Sequence, residues 1–247
     1  MNTIIVIDRQ YASGGKEIAQ LVAQRLSIPC YDREQLSRIA LASGLTKEQL
    51  ETQDEMPYSS VIFGMIADTF TVRPLNEEVF LAQQDAIRKV AREEKNGVVI
   101  IGRCADIALR KHSNLLNIFI HAADPFRMER IRAGKAGEEE QWLSENSSDE
   151  ELLELLRRKD KERWSYYDAH AQQRWGQAKN YDFTINSALL GIEESAEQIV
   201  GIIQAFERAG SKKAWIKEKW HSENNHPDKR PSVVMHSEKR HSEKRLS

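Results

Sequence analysis

The segment TIIVIDRQYASGGKEIA, residues 3–19, decides the fold. It opens with a β-branched apolar run, continues through a Ser-Gly-Gly turn, and leads to apolar positions at helical spacing, Ile18, Val22 and Leu26. An apolar run, a glycine turn and a helical pattern in this order predict a strand followed directly by a helix. We therefore expect a β-strand over residues 3–8 whose carboxyl end opens into a glycine-rich loop.

The same alternation of strand and helix returns along the chain. Further apolar runs are VVII at 98–101, LLNIFIHA at 115–122 and YDFTIN at 181–186, with helical patterns between them. Continuous apolar strands between helices are typical of a parallel sheet covered on both faces. The predicted fold class is α/β, with a doubly wound parallel sheet. Residues 40–75 and 134–170 do not fit the alternation, and we expect both to be insertions over the ligand-binding edge of the sheet.

Charge divides the chain into an acidic body and a basic tail. The whole chain carries 36 Lys and Arg against 38 Asp and Glu, whereas residues 211–247 carry ten against five. This tail also repeats HSEKR in tandem and has few apolar residues, so we expect about 221–247 to be disordered. The predicted organisation is one domain over 1–210, with an insertion at about 40–75 and a lid at about 134–170, followed by the tail.

Composition argues against several classes of protein. The 40% apolar fraction is enough for a core, but no run approaches the roughly 18 to 20 apolar residues of a membrane span. The amino-terminal residues show no basic leader, so we expect a cytoplasmic protein without a membrane partner. Two cysteines, Cys30 and Cys104, are too few for a disulfide scaffold or a cysteine-built zinc site. The oligomeric state is not indicated.

The loop after the first predicted strand is a candidate phosphate site. In a P-loop, backbone N–H groups and a helix N-terminus surround phosphates, and a Lys after the last Gly reaches the terminal ones. Gly14, Gly15 and Lys16 supply these features. The standard pattern has Gly where Gln10 stands and a Mg²⁺-binding Ser or Thr where Glu17 stands. An ordinary glycine turn before a core helix would also explain the segment.

Two other segments carry candidate anion-binding residues. Arg103 follows the run VVII, at the sheet edge where open α/β folds bind ligands, and its planar guanidinium suits a phosphate. A surface Arg103 paired with Asp106 is the alternative. Asp32 and Arg38 lie in YDREQLSRIA, where they would share a site only if a helix begins between them. An ordinary exposed helix is the alternative there.

A dense charged run at residues 156–167, LRRKDKERWSYY, follows a stretch rich in Gly, Glu and Ser. A mobile lid that brings Lys161 and Arg163 onto phosphates during transfer would have this composition, because phosphoryl transfer depends on positioning and charge neutralisation. A solvated helix with ion pairs one turn apart would look similar. The aromatic residues near this run, Trp164 and Tyr166 among them, fit either base stacking or packing against the core.

Taken together, these segments resemble the cytidylate kinase-like family over about residues 1–205. The order that carries the resemblance is TIIVIDRQYASGGKEIA, PCYDREQLSRIA, VVIIGRCAD, NIFIHAADPFRMERI, the RRKDKER run and NYDFTINSALLGIEESAEQIV. That family is similar to bacterial cytidylate kinases, which are P-loop nucleoside monophosphate kinases. The resemblance implies a P-loop NTPase-like sheet with monophosphate-binding and lid insertions. It also implies phosphoryl transfer from ATP, with Mg²⁺, to CMP or dCMP.

The resemblance also implies roles for individual residues. Ser13, Gly14, Gly15, Lys16 and Glu17 would bind the nucleotide phosphates; Asp32, Arg38 and Arg103 would bind the acceptor; and Lys16, Lys161 and Arg163 would act in the transfer. Lys159 and Asp160 match the same lid segment, and no side chain is expected to ligate a metal directly. Cys104 stands where the kinases' Gly-Arg-Asp motif has its Asp.

Two other functional hypotheses remain at this point. Gln10, Glu17 and Cys104 would also fit a nucleotide-binding regulatory protein that does not turn over. The basic tail, with Trp215 and Trp220, suggests a nucleic-acid-associated protein. Because acidic residues interrupt the basic ones in the tail, we expect nucleotides rather than nucleic acid as partners.

Overall fold

A five-stranded parallel sheet forms the centre of the protein. The computed structural model describes residues 2–42, 75–136, 147–171 and 173–210. The strands are β1 (Ile4–Arg9), β2 (Cys30–Tyr31), β3 (Val98–Ile101), β4 (Leu115–His121) and β5 (Phe183–Asn186). Their order is β2-β3-β1-β4-β5, and every neighbouring pair is parallel. This arrangement confirms the predicted α/β fold.

Seven α-helices accompany the sheet in the described part of the chain. They are α1 (Gly15–Leu26), α2 (Arg33–Leu41), α3 (Leu75–Glu93), α4 (Ala105–Leu109), α5 (Asp124–Arg132), α6 (Asp149–His170) and α7 (Ser187–Ala209). The chemistry of their ends explains several starts. The Ser148 side chain accepts from the Glu151 amide, and the Glu151 side chain accepts from the Ser148 amide, a capping box that fixes the start of α6.

The strands are apolar throughout because both faces of the sheet are covered. Alternate side chains point to opposite faces, so Ile5 and Ile7 of β1 pack with α1 and α7. Ile4 and Val6 pack on the other face, where Ile87 of α3 joins them. Full burial of one such side chain stabilises the fold by about 1.5 to 3 kcal/mol.

The strand order determines where a ligand can bind. β1 is central, with β3 on one side and β4 on the other, so the chain reverses its direction of progress across the sheet at β1. In open α/β sheets the crevice for ligands lies outside the carboxyl ends of the strands at this switch point. The loop after β1 and the residues after β2 and β3 therefore meet at one edge.

Boundaries differ from the sequence predictions at two strands. β1 continues one residue further than predicted, so Arg9 is a strand residue and not a loop residue. The last strand is shorter than predicted because a 3₁₀ turn, Ala178–Asn180, precedes it. Most of the predicted insertion, a smaller part of the predicted lid and all of the tail lie outside the described residues, at 43–74, 137–146 and 211–247. The predicted domain limits stay a prediction.

Candidate active site

The loop between β1 and α1 has the backbone of a phosphate cradle. Gly14 adopts φ +78° and is the N-cap of α1. A β-carbon at Gly14 would collide with Cδ1 of Ile192, and one at Gly15 would lie 2.5 Å from Cβ of Arg9. Both positions therefore require glycine. The first-turn amides of a helix have no partner within the helix, so this end of α1 offers donors to an anion.

Two buried arginines of α5 hold this loop from behind. Nε of Arg127 donates to the Tyr11 carbonyl at 2.7 Å, and Nε of Arg130 donates to the Ala12 carbonyl at 3.1 Å. Asp160 of α6 completes the brace, because its Oδ1 accepts from the Tyr11 amide at 2.7 Å and its Oδ2 accepts from Nη2 of Arg127 at 2.6 Å. These bonds occupy the Tyr11 and Ala12 carbonyls and the Tyr11 amide, so these groups are not available to a ligand.

The remaining polar side chains of the loop are also engaged by the protein. Glu17 forms an ion pair with Arg130. Ser13 is buried, and its hydroxyl donates to the Gln10 carbonyl at 2.9 Å. Ser187 at the start of α7 donates to the Ser13 carbonyl at 2.6 Å. The loop is therefore a rigid platform before any ligand arrives.

Lys16 lies at the mouth of the cradle. Its Nζ is 3.0 Å from Oδ2 of Asp32, and its side chain is 60% exposed. Asp32 caps α2 by accepting from the Gln35 amide at 3.2 Å. Burial opposes ionisation of Asp32, but the hydrogen bonds from Lys16 and Gln35 outweigh it and lower the pKa of the carboxyl. The pair joins the loop after β1 to the end of β2.

Three arginines and a buried carboxylate meet beyond the ends of β1 and β3. Nη1 of Arg163, from α6, donates to the Arg9 carbonyl at 3.0 Å. Nη1 of Arg9 lies 4.0 Å from Oδ1 of Asp8. Burial, followed by the nearby charge of Arg163, lowers the pKa of Arg9 to about 9, and Arg103 also contributes to this lowering. Burial raises the pKa of Asp8.

The third arginine, Arg103, is positioned by a left-handed turn. Gly102, Arg103 and Cys104 all have positive φ, so the chain turns sharply after β3. The Gln84 side chain donates to the Arg103 carbonyl at 3.1 Å. The Arg103 guanidinium lies over the Tyr166 ring, 5.2 Å from its centroid, and this cation–π contact ties the turn to α6.

Beneath this turn, polar and apolar groups of α4 and α6 pack together. Cys104 is 3% exposed and contacts Tyr167, and burial raises the pKa of its thiol. Asp106 accepts from the Tyr167 hydroxyl at 2.6 Å. Burial raises the pKa of Asp106 to about 6, with the charge of Asp8 adding to the effect. Tyr166 and Trp175 join the same cluster, as the packing interpretation of the aromatics predicts.

Comparison with known proteins fits this architecture. A sequence model described as the cytidylate kinase-like family matches residues 4–189. The chain belongs to the cytidylate kinase-like family. Among curated proteins, none matches the sequence. Membership of this family and the parallel sheet order establish a P-loop NTPase-like fold of the kinase type.

Several solved structures are similar to this chain. An uncharacterized protein from Eubacterium ventriosum ATCC 27560 is similar with a TM-score of 0.60 and 24% identity, over 82% of this chain and 98% of that one. A shikimate kinase from Bacteroides thetaiotaomicron has a TM-score of 0.49 and 15% identity, over 82% and 98%. A gluconokinase from Sinorhizobium meliloti 1021 has a TM-score of 0.48 and 14% identity, over 85% of this chain and 98% of that one. The first likeness supports the fold alone.

The structure of this cytidylate kinase-like protein brings some of the predicted site residues together. The cradle, Lys16, Asp32, Arg103 and Arg163 all lie at the carboxyl edge of β1, β2 and β3. Arg38 is 72% exposed and pairs with Glu34 one turn earlier on α2, so it is Lys16 that pairs with Asp32. Lys161 is exposed on α6. Asp160 braces the loop.

Sequence reasoning missed the residues that surround these groups. Arg9, Arg127 and Arg130 were not identified as site residues, nor were the carboxyls of buried Asp8 and half-buried Asp106 as part of the cluster. The spacing of Arg127 and Arg130, three residues apart, places both on one face of a helix, but no signal in the sequence indicates that this face meets the loop after β1.

The described residues fit a polyphosphate better than they fit a metal ion. Glycines and a helix N-terminus form the cradle, with cationic side chains beside it. Within residues 2–42, 75–136, 147–171 and 173–210, no group of three or more His, Cys, Asp or Glu could hold a metal. In the same ranges, no helix is both long and apolar enough to cross a membrane.

Proposed function

We propose that the protein transfers the γ-phosphoryl group of ATP to a nucleoside monophosphate, with CMP or dCMP as the expected acceptor. The observation that carries the proposal is that Arg103, from the turn after β3, and Arg163, from α6, both lie near Arg9 at the end of β1, next to the glycine loop. Phosphoryl transfer needs positioned cations around a migrating phosphoryl group, and little covalent chemistry from the protein. The family match supports the kinase class, and the acceptor is the proposal.

On the donor side, the first-turn amides of α1 and Lys16 would bind the ATP phosphates, with Ser13 and Gly14 shaping the loop. The Lys16–Asp32 ion pair would break, because the same Nζ would move onto phosphate oxygens. Since the Lys16 side chain is largely exposed, this movement costs little burial. The loop itself would stay fixed, because Arg127, Arg130 and Asp160 hold it from behind.

On the acceptor side, Arg103 would bind the monophosphate, with Asp32 and Arg38 at the nucleoside. The new bond would join an acceptor phosphate oxygen to the γ-phosphorus as the bond to the β–γ bridging oxygen breaks. That oxygen would keep the electron pair and leave with ADP. Arg163 and Lys161 would neutralise the charge on the moving group. No general base is needed, because the acceptor phosphate is already anionic.

Mg²⁺, bound with ATP, would supply charge neutralisation for the donor phosphates. The side chains at the loop do not supply a direct ligand set for it. Glu17 stands where a P-loop has its Mg²⁺-binding hydroxyl, and it is paired with Arg130. The Ser13 hydroxyl is buried and donates to the Gln10 carbonyl. We therefore expect no side chain of this loop to ligate the ion directly.

The test is ADP formation from ATP and Mg²⁺ against a panel of all common nucleoside monophosphates. We expect CMP and dCMP to raise the rate most, and Lys16→Ala to lose ATP affinity while its melting temperature stays close to that of the wild type. ATP affinity equal to wild type in Lys16→Ala would contradict the loop assignment. ADP formation with a different nucleoside monophosphate would contradict only the choice of CMP or dCMP as the acceptor.

A second candidate is a nucleotide-binding regulatory protein without turnover. The observation that favours it is the loop brace: the Tyr11 amide is committed to Asp160, and Glu17 is committed to Arg130. A loop with fewer free N–H donors, and with no hydroxyl where a P-loop has its Mg²⁺-binding residue, would still bind a nucleotide. It would stabilise the transition state of phosphoryl transfer poorly. ATP binding without ADP formation from any monophosphate would support this candidate.

We also propose that the protein is cytoplasmic.

A further inference from the structure

Arg9 extends from the glycine cradle to the turn that carries Arg103. At one end, a β-carbon on Gly15 would lie 2.5 Å from Cβ and 2.8 Å from Cγ of Arg9. At the other end, a β-carbon on Gly102 would collide with Nη1 of Arg9. The side chain therefore crosses from the loop between β1 and α1, here called the donor loop, to the turn Gly102–Cys104, here called the acceptor turn. A glycine makes room for it at each end.

The charge around Arg9 is not matched by carboxylates in good geometry. Of the described carboxylates, that of Asp8 reaches its guanidinium, at 4.0 Å, which is the limit for an ion pair. Asp160, beside Arg163, already accepts from Arg127 and from the Tyr11 amide. Burial, and then the nearby charge of Arg163, lower the pKa of Arg9, as expected where a cation is held among other cations at a cost in free energy.

An anion would relieve this cost, and Arg9 can be reached by one. Its side chain keeps 22% of its surface exposed, in contrast to Arg127, which is 3% exposed and fully engaged by the loop brace. A planar guanidinium can hold two phosphate oxygens at once, so a phosphate between the cradle and Arg103 would meet Arg9 with good geometry.

We propose that Arg9 is a phosphate-binding residue that contacts the γ-phosphate where it lies between the donor loop and the acceptor turn. The proposal rests on the proposed function for the identity of the anion. Arg9 would remain in contact as the phosphoryl group moves from the β–γ bridging oxygen to the acceptor oxygen, because its side chain already spans both ends of that path. The alternative is a structural residue that only balances the charge of Asp8.

The experiment measures the affinity of inorganic tripolyphosphate by calorimetry in metal-free buffer, which needs neither turnover nor an acceptor. The variants are Arg9→Met and Arg9→Lys, and the matched control is Arg88→Met, an exposed helical arginine paired with Asp85. We expect Arg9→Met to weaken binding about tenfold or more and Arg9→Lys to fall between it and wild type. Arg88→Met should stay within about twofold of wild type.

Melting temperatures separate the two roles of Arg9. If Arg9→Met unfolds, Arg9→Lys carries the test, since it keeps a charge beside Asp8 but cannot form two parallel hydrogen bonds. Affinities equal to the Arg88→Met control in both variants, or no binding of tripolyphosphate by the wild type, would overturn the proposal. A further outcome is that the Arg9 variants lose tripolyphosphate binding while the wild-type protein forms no ADP with any monophosphate. That outcome would support phosphate binding by Arg9 and would overturn the proposed function instead.

Discussion

At the scale of single residues, a substitution of Arg103 distinguishes the proposed acceptor subsite from the proposed ATP subsite. It sits on a left-handed turn after β3, whereas the proposed ATP phosphate site is at the first turn of α1. Arg103→Ala should weaken CMP binding by about 1.5 to 3 kcal/mol, the value of a hydrogen bond to a charged group, and should leave ATP almost unchanged. Calorimetry with each nucleotide measures both, and exposed Arg110→Ala is the control. Equal losses for CMP and ATP would place Arg103 outside the acceptor subsite.

Asp106 makes the stability of the protein depend on pH. Because its folded pKa is raised to about 6, the folded protein holds this proton more tightly than the unfolded chain. The stability from this group is fully present below about pH 3.8 and is lost as pH rises through about 6. Asp106→Asn removes the titration and keeps an acceptor for Tyr167.

We therefore expect Asp106→Asn to be more stable than wild type at pH 7.5, on the order of 1 to 2 kcal/mol, and to lose that advantage near pH 4. Urea denaturation at both pH values measures the difference. Exposed Asp85→Asn, on α3, should show no such dependence. A constant difference between Asp106→Asn and wild type across pH would mean that the carboxyl stays solvated.

At the scale of elements, α5 and α6 together hold the loop between β1 and α1. Arg127 is buried, and it joins the Tyr11 carbonyl to Asp160. Removing one partner of a buried ion pair leaves the other uncompensated, so Arg127→Met should cost about 3 to 5 kcal/mol. Arg132→Met is the matched control on the same helix, because its pair with Asp149 is exposed and should contribute about 1 kcal/mol or less.

Urea denaturation measures both free energies of unfolding. Asp160→Asn distinguishes a brace from a ligand-binding role for Asp160, because it can still accept from the Tyr11 amide but loses its charge. As a brace, Asp160→Asn should destabilise the protein because it removes the charge 2.6 Å from Nη2 of Arg127 and leaves this buried arginine paired with the half-exposed Asp124. Unchanged stability together with weaker ATP binding would show instead that Asp160 acts on the nucleotide.

The elements could be predicted from the sequence where a single local pattern determines them. Val98–Ile101 is a strand because it is apolar on both faces, and α6 begins after Ser148 because the capping box is local. The brace could not be predicted in this way. Arg127 and Tyr11 are 116 residues apart, and nothing near either of them in the sequence specifies the contact. Arg9 was missed for a related reason, because its position between Gly15 and Gly102 arises only when the chain folds.

At the scale of the whole molecule, the site combines contributions from distant parts of the chain. β1 supplies Asp8 and Arg9, the turn after β3 supplies Arg103, and α6 supplies Arg163. The parallel sheet makes this possible, since the carboxyl ends of its strands share one edge. The body of the protein is acidic, so the arginine cluster is a local exception that concentrates positive charge where phosphates would bind.

The basic tail provides the last test, of whether the proposed nucleotide site works without it. Residues 221–247 repeat HSEKR and hold few apolar side chains, so they can bury little surface. Deleting them should leave the melting temperature and any ADP formation almost unchanged. A fall of more than about 5 °C, on the order of 1 to 2 kcal/mol for a chain of this size, would show that the tail packs on the body. Salt-sensitive binding to a polynucleotide that disappears when 211–247 is deleted would show that the tail has a nucleic-acid partner after all.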